Sequence, residues 1–200
     1  LTEFERDYIN KFKQNATLIL STEIRHNLKN SDFEWLFLMQ HNGFPTRLLD
    51  WTESPLIGLY FVVNDPEFNA HDGCLWVLLP SKLNQIANLR FGSKIIPSFE
   101  EPDIQNWSPE RIADVGGQQI PIAAIAPRNN RRMQAQLSVF TISTNSQRRI
   151  DRIGTGDHVW KYKIPSTCKK EIANEFKLLS MNEFTLFPEI DKIWKSHCRG

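Results

Sequence analysis

Phe4, Tyr8, Phe12 and Ala16 recur every four residues with charges between them. That is the spacing of one face of an amphipathic helix over residues 1–20. A second helix is predicted from Ser31. Ser31 and Glu34 have capping-box spacing, Trp35, Leu36, Leu38 and Met39 form a buried side, and Gly43 is a stop. His41 then falls in the last turn or just beyond it, where the helix dipole favours a protonated imidazole. Pro45 disfavours helix at Phe44, and Leu48 with Leu49 suggest a short buried strand. Ser54 before Pro55 is an N-cap with proline at the first helical position, opening a helix over "PLIGLYFVV" that ends near "NDP".

Past this helix the period changes. "GCLWVLLP" (73–80) is a continuous apolar run bounded by Gly and Pro, a strand pattern. A short helical piece is expected near Leu83 to Asn88, then loop up to "VGGQQ". "IPIAAIAP" (120–127) and "QLSVFTI" (136–142) are further strand candidates. "HVWKYKIP" alternates, with Trp160, Tyr162 and Ile164 on one side and Lys161 and Lys163 on the other. Residues 167–179 predict an amphipathic helix burying Ile172, Ala173, Phe176 and Leu179. "EFTLFP" suggests a last short strand and "EIDKIWKSHC" a terminal helix. Helices followed by strands interleaved with helices predict a single α+β domain over 1–200, a mixed sheet with flanking helices. The loop-rich stretch near 97–119 is the one candidate boundary, and no cut is placed there.

Composition narrows this little. The chain has 200 residues, 40% hydrophobic and 24% charged, with a net charge of +1, so a chain-wide polyanion-binding surface is not expected. Cys74, Cys168 and Cys198 are far apart and in no metal-ligand spacing. The five His also lack such spacing, so no metal is expected, and a reducing, cytoplasmic setting fits best. No apolar run approaches the roughly 18 residues of a membrane span. The chain starts at Leu1 rather than Met, so the lack of a visible signal peptide carries little weight.

Three stretches carry candidate chemistry. In "QHNGFPTRLLDWTES", His41, Thr46, Arg47, Asp50 and Thr52 crowd one short segment. Arg47 can fork onto a phosphate or carboxylate, and His41 can move a proton near neutral pH. The alternative has equal weight: Arg47 and Asp50 are a buried pair that pins the loop, and His41 caps helix carbonyls. In "PRNNRRMQAQLSVFTI" and its continuation to Arg152, six Arg stand against one Asp. This basic stretch is either a phosphate or RNA site or a solvated charged loop. Gln136 differs, as a polar residue at the start of an apolar strand. In "FPEID", Glu189 and Asp191 fit the first turn of a helix better than catalysis. Nucleotide-loop, zinc-protease and nucleophile-elbow signatures are absent.

"QHNGFPTRLLDWTESPLIGLYF" resembles the hallmark of the FRG domain family, named for an aromatic-Arg-Gly motif near its N-terminus. "DGCLWVLLPSKLN", "PRNNRRMQAQLSVFTI", "VWKYKIP" and "EFTLFPEID" resemble further family segments in order, so the resemblance runs from about Phe4 to Ile193. The Arg-Gly motif itself is not in these residues, and Ser138 stands where the family often has Gly. The layout is also similar to that of ADP-ribosyltransferases, which split NAD at the nicotinamide–ribose bond, and this implies a split sheet. On that comparison Asp50, Trp51 and Thr52 take the place of a Ser-Thr-Ser strand. Gln136 lies near the place of a catalytic Glu, although it cannot carry negative charge. The resemblance then implies His41, Asp50 and Gln136 as catalytic. It implies Thr46, Arg47, Trp51, Thr52, Tyr60 and Arg132 as ligand-binding residues, with Arg47 or Arg132 on the pyrophosphate and Tyr60 or Trp51 stacked on a ring. It implies NAD as substrate, a protein or nucleic-acid acceptor, and a role as a bacterial toxin or phage-defence effector. A nucleotide- or nucleic-acid-binding module without catalysis, or a metal-assisted hydrolase or nuclease, are the alternatives.

Overall fold

In the computed structural model, residues 2–21, 28, 32–89, 95–112, 119–128, 130–144 and 149–188 are described. The predicted cap at Ser31, the acidic residues Glu189 and Asp191, and the expected terminal helix lie outside them. The architecture is α+β. The chain falls into two compact units, each built from separate stretches: Leu1–Leu49, Pro80–Ile125 and Phe140–Gly156, then Asp50–Leu79, Ala126–Val139 and Asp157–Gly200. The loop-rich stretch near 97–119 lies inside the first unit.

In the first unit the N-terminal apolar row folds as α1 (Thr2–Ala16), with its buried side turned from the expected one. Ile9 is 1% exposed, while Phe4 is 73% exposed. The buried line runs Glu5, Ile9, Phe12, still at helical spacing but with a carboxylate on it. Phe12 packs edge-on against Phe44 at 4.9 Å and Trp35 at 6.3 Å. Helix α2 (Asp32–His41) buries Phe33, Trp35, Leu36, Phe37 and Met39. Its Phe37 meets Phe99 at 4.7 Å and Phe140 at 4.9 Å, so an aromatic cluster sits at the centre of this unit. Gly43 turns the chain out of α2 with φ 76, the left-handed backbone for which glycine is suited.

Strands β1 (Leu48–Thr52), β3 (Ile122–Ala124) and β4 (Ser138–Ile142) form a sheet in the order β1-β4-β3. Strands β3 and β4 are antiparallel. Bonds from Ser143 N–H to the Arg47 carbonyl and from Glu53 N–H to the Leu137 carbonyl flank β1 and β4 in opposite order, so this pair is antiparallel too. The unit boundary falls within β1 and within β4. The outer side of β3 is closed by a side chain. Helix α4 (Pro80–Ile86) carries Asn84, which is fully buried. Its amide donates to the Ala123 carbonyl at 2.8 Å, and the Ala123 N–H donates to its Oδ1 at 2.7 Å. Asn84 thus takes the place of a neighbouring strand.

In the second unit Ser54 caps α3 (Pro55–Val63), accepting from the Ile57 N–H as its spacing predicts. Strands β2 (Gly73–Leu78) and β5 (Val159–Ile164) pair antiparallel, with Leu75 opposite Tyr162 and Val77 opposite Trp160. Helix α6 (Ser166–Leu178) packs Phe176 beside Ile57, Tyr60, Val63 and Leu186. The expected burial of Leu179 does not hold: it follows α6 as an exposed C-cap. Gly73 is required by packing, because a Cβ there would stand 2.3 Å from Val62. Two expectations are corrected. "EFTL" is not a strand but a helical turn, α7 (Glu183–Leu186), because Asn182 and Thr185 satisfy each other's backbone as a capping box. Gln136 is not in β4 but ends α5 (Arg131–Ala135) as its C-cap. Leu137 separates the two with φ 49, and that turn breaks the strand pattern.

Helix α6 has no capping side chain at Pro165. Asp72 supplies one from a distance, accepting from the Ser166 N–H at 2.8 Å while its other oxygen meets Lys163 at 2.7 Å. These bonds, that from Lys163 first, hold its carboxyl down to about 2 from the ordinary 3.8.

Two outcomes are expected. Asn84→Ala leaves a buried N–H and a buried carbonyl without partners, each costing about 1–3 kcal/mol, so thermal melting followed by circular dichroism drops markedly. The support from Asp72 is present above its unfolded value and is lost as pH falls towards about 2. Asp72→Asn therefore flattens the stability-versus-pH curve in that acid window, measured by denaturant titration.

Candidate functional site

Of the nine candidate residues, His41, Thr46 and Arg47 belong to the first unit and Asp50, Trp51, Thr52, Tyr60, Arg132 and Gln136 to the second. In the first unit, His41 is half-buried in the last turn of α2. The Thr46 hydroxyl donates to the Gln40 side-chain oxygen and accepts from the Leu48 N–H at 3.2 Å, which shapes the crossover into β1.

Arg47 is drawn inward. Its side chain is 7% exposed and that of Glu5 is 15% exposed. Its Nε donates to both Glu5 oxygens at 2.8 and 3.0 Å, Nη1 to the Ser143 carbonyl at 3.2 Å, and Nη2 to the Trp107 carbonyl. The carboxylate that meets it comes from α1. Burial lowers the Arg47 pKa and raises that of Glu5, and in each case the partner's opposing pull is the smaller effect. Desolvation therefore outweighs the attraction, and the pair fixes geometry more than it adds stability. The arginine joins α1, the start of β1, the chain after β4 and the 3-10 turn Pro102–Trp107.

In the second unit, Asp50 is exposed and Trp51 and Thr52 are half-buried. The Thr52 hydroxyl donates to the Gln136 carbonyl at 2.7 Å and accepts from the Ser54 N–H at 3.1 Å. The Gln136 side chain donates to the Leu186 carbonyl at 3.0 Å. The Arg132 guanidinium lies 4.8 Å from the centre of the Phe187 ring. Three distant sequence segments, "DWTES", "RRMQAQL" and "TLFP", therefore meet here. Arg128 pairs with Glu53 at the same place. Tyr60 lies in the core against which Leu137 and Phe187 pack, buried 5.7 Å from the Phe176 ring. Its ring is packing, not an open stacking surface.

Residues 1–71 match the family model of the FRG domain. This chain carries an FRG domain. No curated protein and no solved structure matches the chain. The FRG match contains both Glu5 and Arg47, and it ends before the segments that supply Arg132, Gln136 and Phe187. Among the described residues no group of three His, Cys, Asp or Glu is placed to hold a metal ion, and no helix is long and apolar enough to cross a membrane.

Sequence reasoning missed Glu5, Leu137 and Phe187. Glu5 had a signal, since it stands at i relative to Ile9 and Phe12 on one helical face. Leu137 had none, because nothing in a leucine announces a left-handed turn.

The Arg47–Glu5 pair makes a test for the FRG domain. Glu5→Leu leaves a buried guanidinium without its carboxylate and is expected to cost about 3–5 kcal/mol. Arg47→Met in the Glu5→Leu background is expected to cost much less than the two single changes summed. Urea unfolding of the four proteins measures the coupling; additive losses would show that the pair is not a unit.

Proposed function

We propose that this FRG-domain protein is an ADP-ribosyltransferase-like enzyme that uses NAD, acting as a bacterial toxin or phage-defence effector. The observation that supports this reading is the meeting of Thr52 with Gln136. The end of β1, the cap of α3 and the turn before β4 are bonded together, which is the layout that the resemblance implies. Thr52 and Gln136 have their polar atoms engaged with the backbone, so they act as positioning residues. Asp50 lies two residues from Thr52 on the same strand, and alternate strand residues face the same side. Being exposed and able to ionise, it supplies the negative charge that Gln136 lacks for an oxocarbenium-like centre. Arg132, steadied on Phe187, provides a charge-assisted contact for a pyrophosphate.

A nucleotide-binding module without catalysis is the second reading, favoured by the neutral Gln136 in the place of an acid. One experiment separates them. Incubation with NAD is expected to release nicotinamide, and Asp50→Ala to slow this about 100-fold or more while the circular dichroism spectrum stays that of the folded protein. NAD binding without release supports the module. Neither binding nor release, in a form that also carries the family's Arg-Gly motif, sinks the NAD reading. Loss of release with a chelator points to the metal-assisted hydrolase.

A further inference from the structure

Helix α2 carries a carboxylate that its surroundings do not answer. Glu34 stands in the first turn of the helix. Its Oε2 is buried and, among the described residues, accepts no hydrogen bond. The charges that α1 brings to α2 are turned elsewhere, Lys13 to Asp32 and Glu5 to Arg47. The charge that does bear on Glu34 is another carboxylate, Glu100, from the turn over 98–101. That turn is firmly placed. Phe99 is 3% exposed and packs on two rings of α2, 4.9 Å from Phe33 and 4.7 Å from Phe37. Its N–H donates to the Ile125 carbonyl at 3.1 Å, and the Ile125 N–H donates to the Pro97 carbonyl at 2.9 Å. The Glu101 N–H donates to the Ser98 carbonyl at 3.0 Å, and the Glu101 carboxylate accepts from the Ser98 N–H at 3.0 Å. Glu101 is thereby spent on its own turn. Glu100 follows Phe99 directly, so it can leave Glu34 only by drawing Phe99 out of the aromatic cluster.

We propose that Glu34 and Glu100 form an acid-operated latch between α2 and the 98–101 turn, repelling while both are ionised and joined by one shared proton in mild acid. Two carboxylates held together resist ionising both, and the protonated one gains an O–H that can donate to the other. Burial first, and then the Glu100 charge, raises the Glu34 carboxyl above its ordinary 4.5. The folded protein therefore holds this proton more tightly than the unfolded chain does. The support it gives is complete below 4.5 and is lost as pH rises through the raised value. Asp72, in the second unit, works in the opposite sense and in a lower window. Glu5 works in the same sense as Glu34, so a Glu34 variant is needed to isolate the latch. The latch lies wholly in the first unit and does not depend on the NAD reading.

The test is urea unfolding of the wild type, Glu34→Gln and Glu100→Gln between about pH 7.5 and about pH 5, with carboxyl-carbon NMR titration of the same proteins. An amide at position 34 can donate to Glu100 at every pH, so Glu34→Gln keeps the latch closed. Its urea midpoint is expected to lie above that of the wild type at neutral pH, and the gap to close on acidification. The Glu34 carboxyl should titrate above 4.5 in the wild type. In Glu100→Gln it should move only part of the way down, because burial remains. The latch is overturned if Glu34→Gln keeps the wild type's full change of midpoint with pH, or if Glu34 titrates at or below the ordinary value. It is also overturned if Glu100→Gln leaves that titration unmoved, which would make Glu34 a solitary buried carboxyl.

Discussion

A guanidinium that is 7% exposed must have its charge answered inside the protein, and in this chain that requirement organises the first unit. Arg47 collects a carboxylate from α1 and carbonyls from Trp107 and Ser143, which are 42, 60 and 96 positions away. Each acceptor fixes one piece of chain. The aromatic cluster around Phe37 and Phe99 supplies the apolar burial, but burial is indifferent to small slides of one element over another. The ion pair is not, because an off-register α1 would leave Arg47 charged and unpaired. That division explains why both partners titrate toward neutrality and yet the pair is built in: apolar packing stabilises, and the charge selects one arrangement.

The second unit solves a different problem with backbone groups. Its key turn is Leu137, whose φ of 49 is disfavoured for a branched side chain. Glycine is usual at such a position after a helix. Leucine is kept because its side chain packs against the Ile57, Tyr60 and Phe176 core, which glycine would leave unfilled. The carbonyls on either side of this peptide, those of Gln136 and Leu137, face Thr52 and Glu53 and accept their hydroxyl and N–H. Backbone strain at one residue thus brings two segments 84 positions apart into hydrogen-bond contact.

These two devices set what could be read from the sequence. Local rules worked where local physics decides the outcome. The Ser54–Pro55 start of α3, the Gly43 stop and a strand at β5 follow from caps, φ and period, and all are present, although the ring side of β5 is not buried as its alternation suggests. The errors have two causes, a distant partner in one case and local turn or cap geometry overriding the apolar pattern in the others. The apolar row of α1 turned because Glu5 is claimed by Arg47. "EFTLFP" folded as a helical turn because Asn182 and Thr185 close a reciprocal cap. The strand expected at Gln136 began later because Leu137 leaves the extended region. The meeting of Thr52 with Gln136 was implied only by the resemblance, since no spacing rule relates residues so far apart.

The same reasoning divides the polar residues of the FRG motif by what has already claimed them. Thr46 is spent on a turn, Arg47 on the inside of the first unit, and Thr52 on the Gln136 carbonyl. Polarity at these positions is explained by the fold alone, so it says nothing directly about a ligand. Asp50 is different. It is exposed in the middle of a five-residue strand, between the exposed Leu49 and the half-buried Trp51, where a carboxylate gives no packing and lowers strand propensity. Exposure on a short strand is what makes Asp50 the residue of this motif on which the proposed negative charge rests, and a substitution there separates that role from its part in the fold.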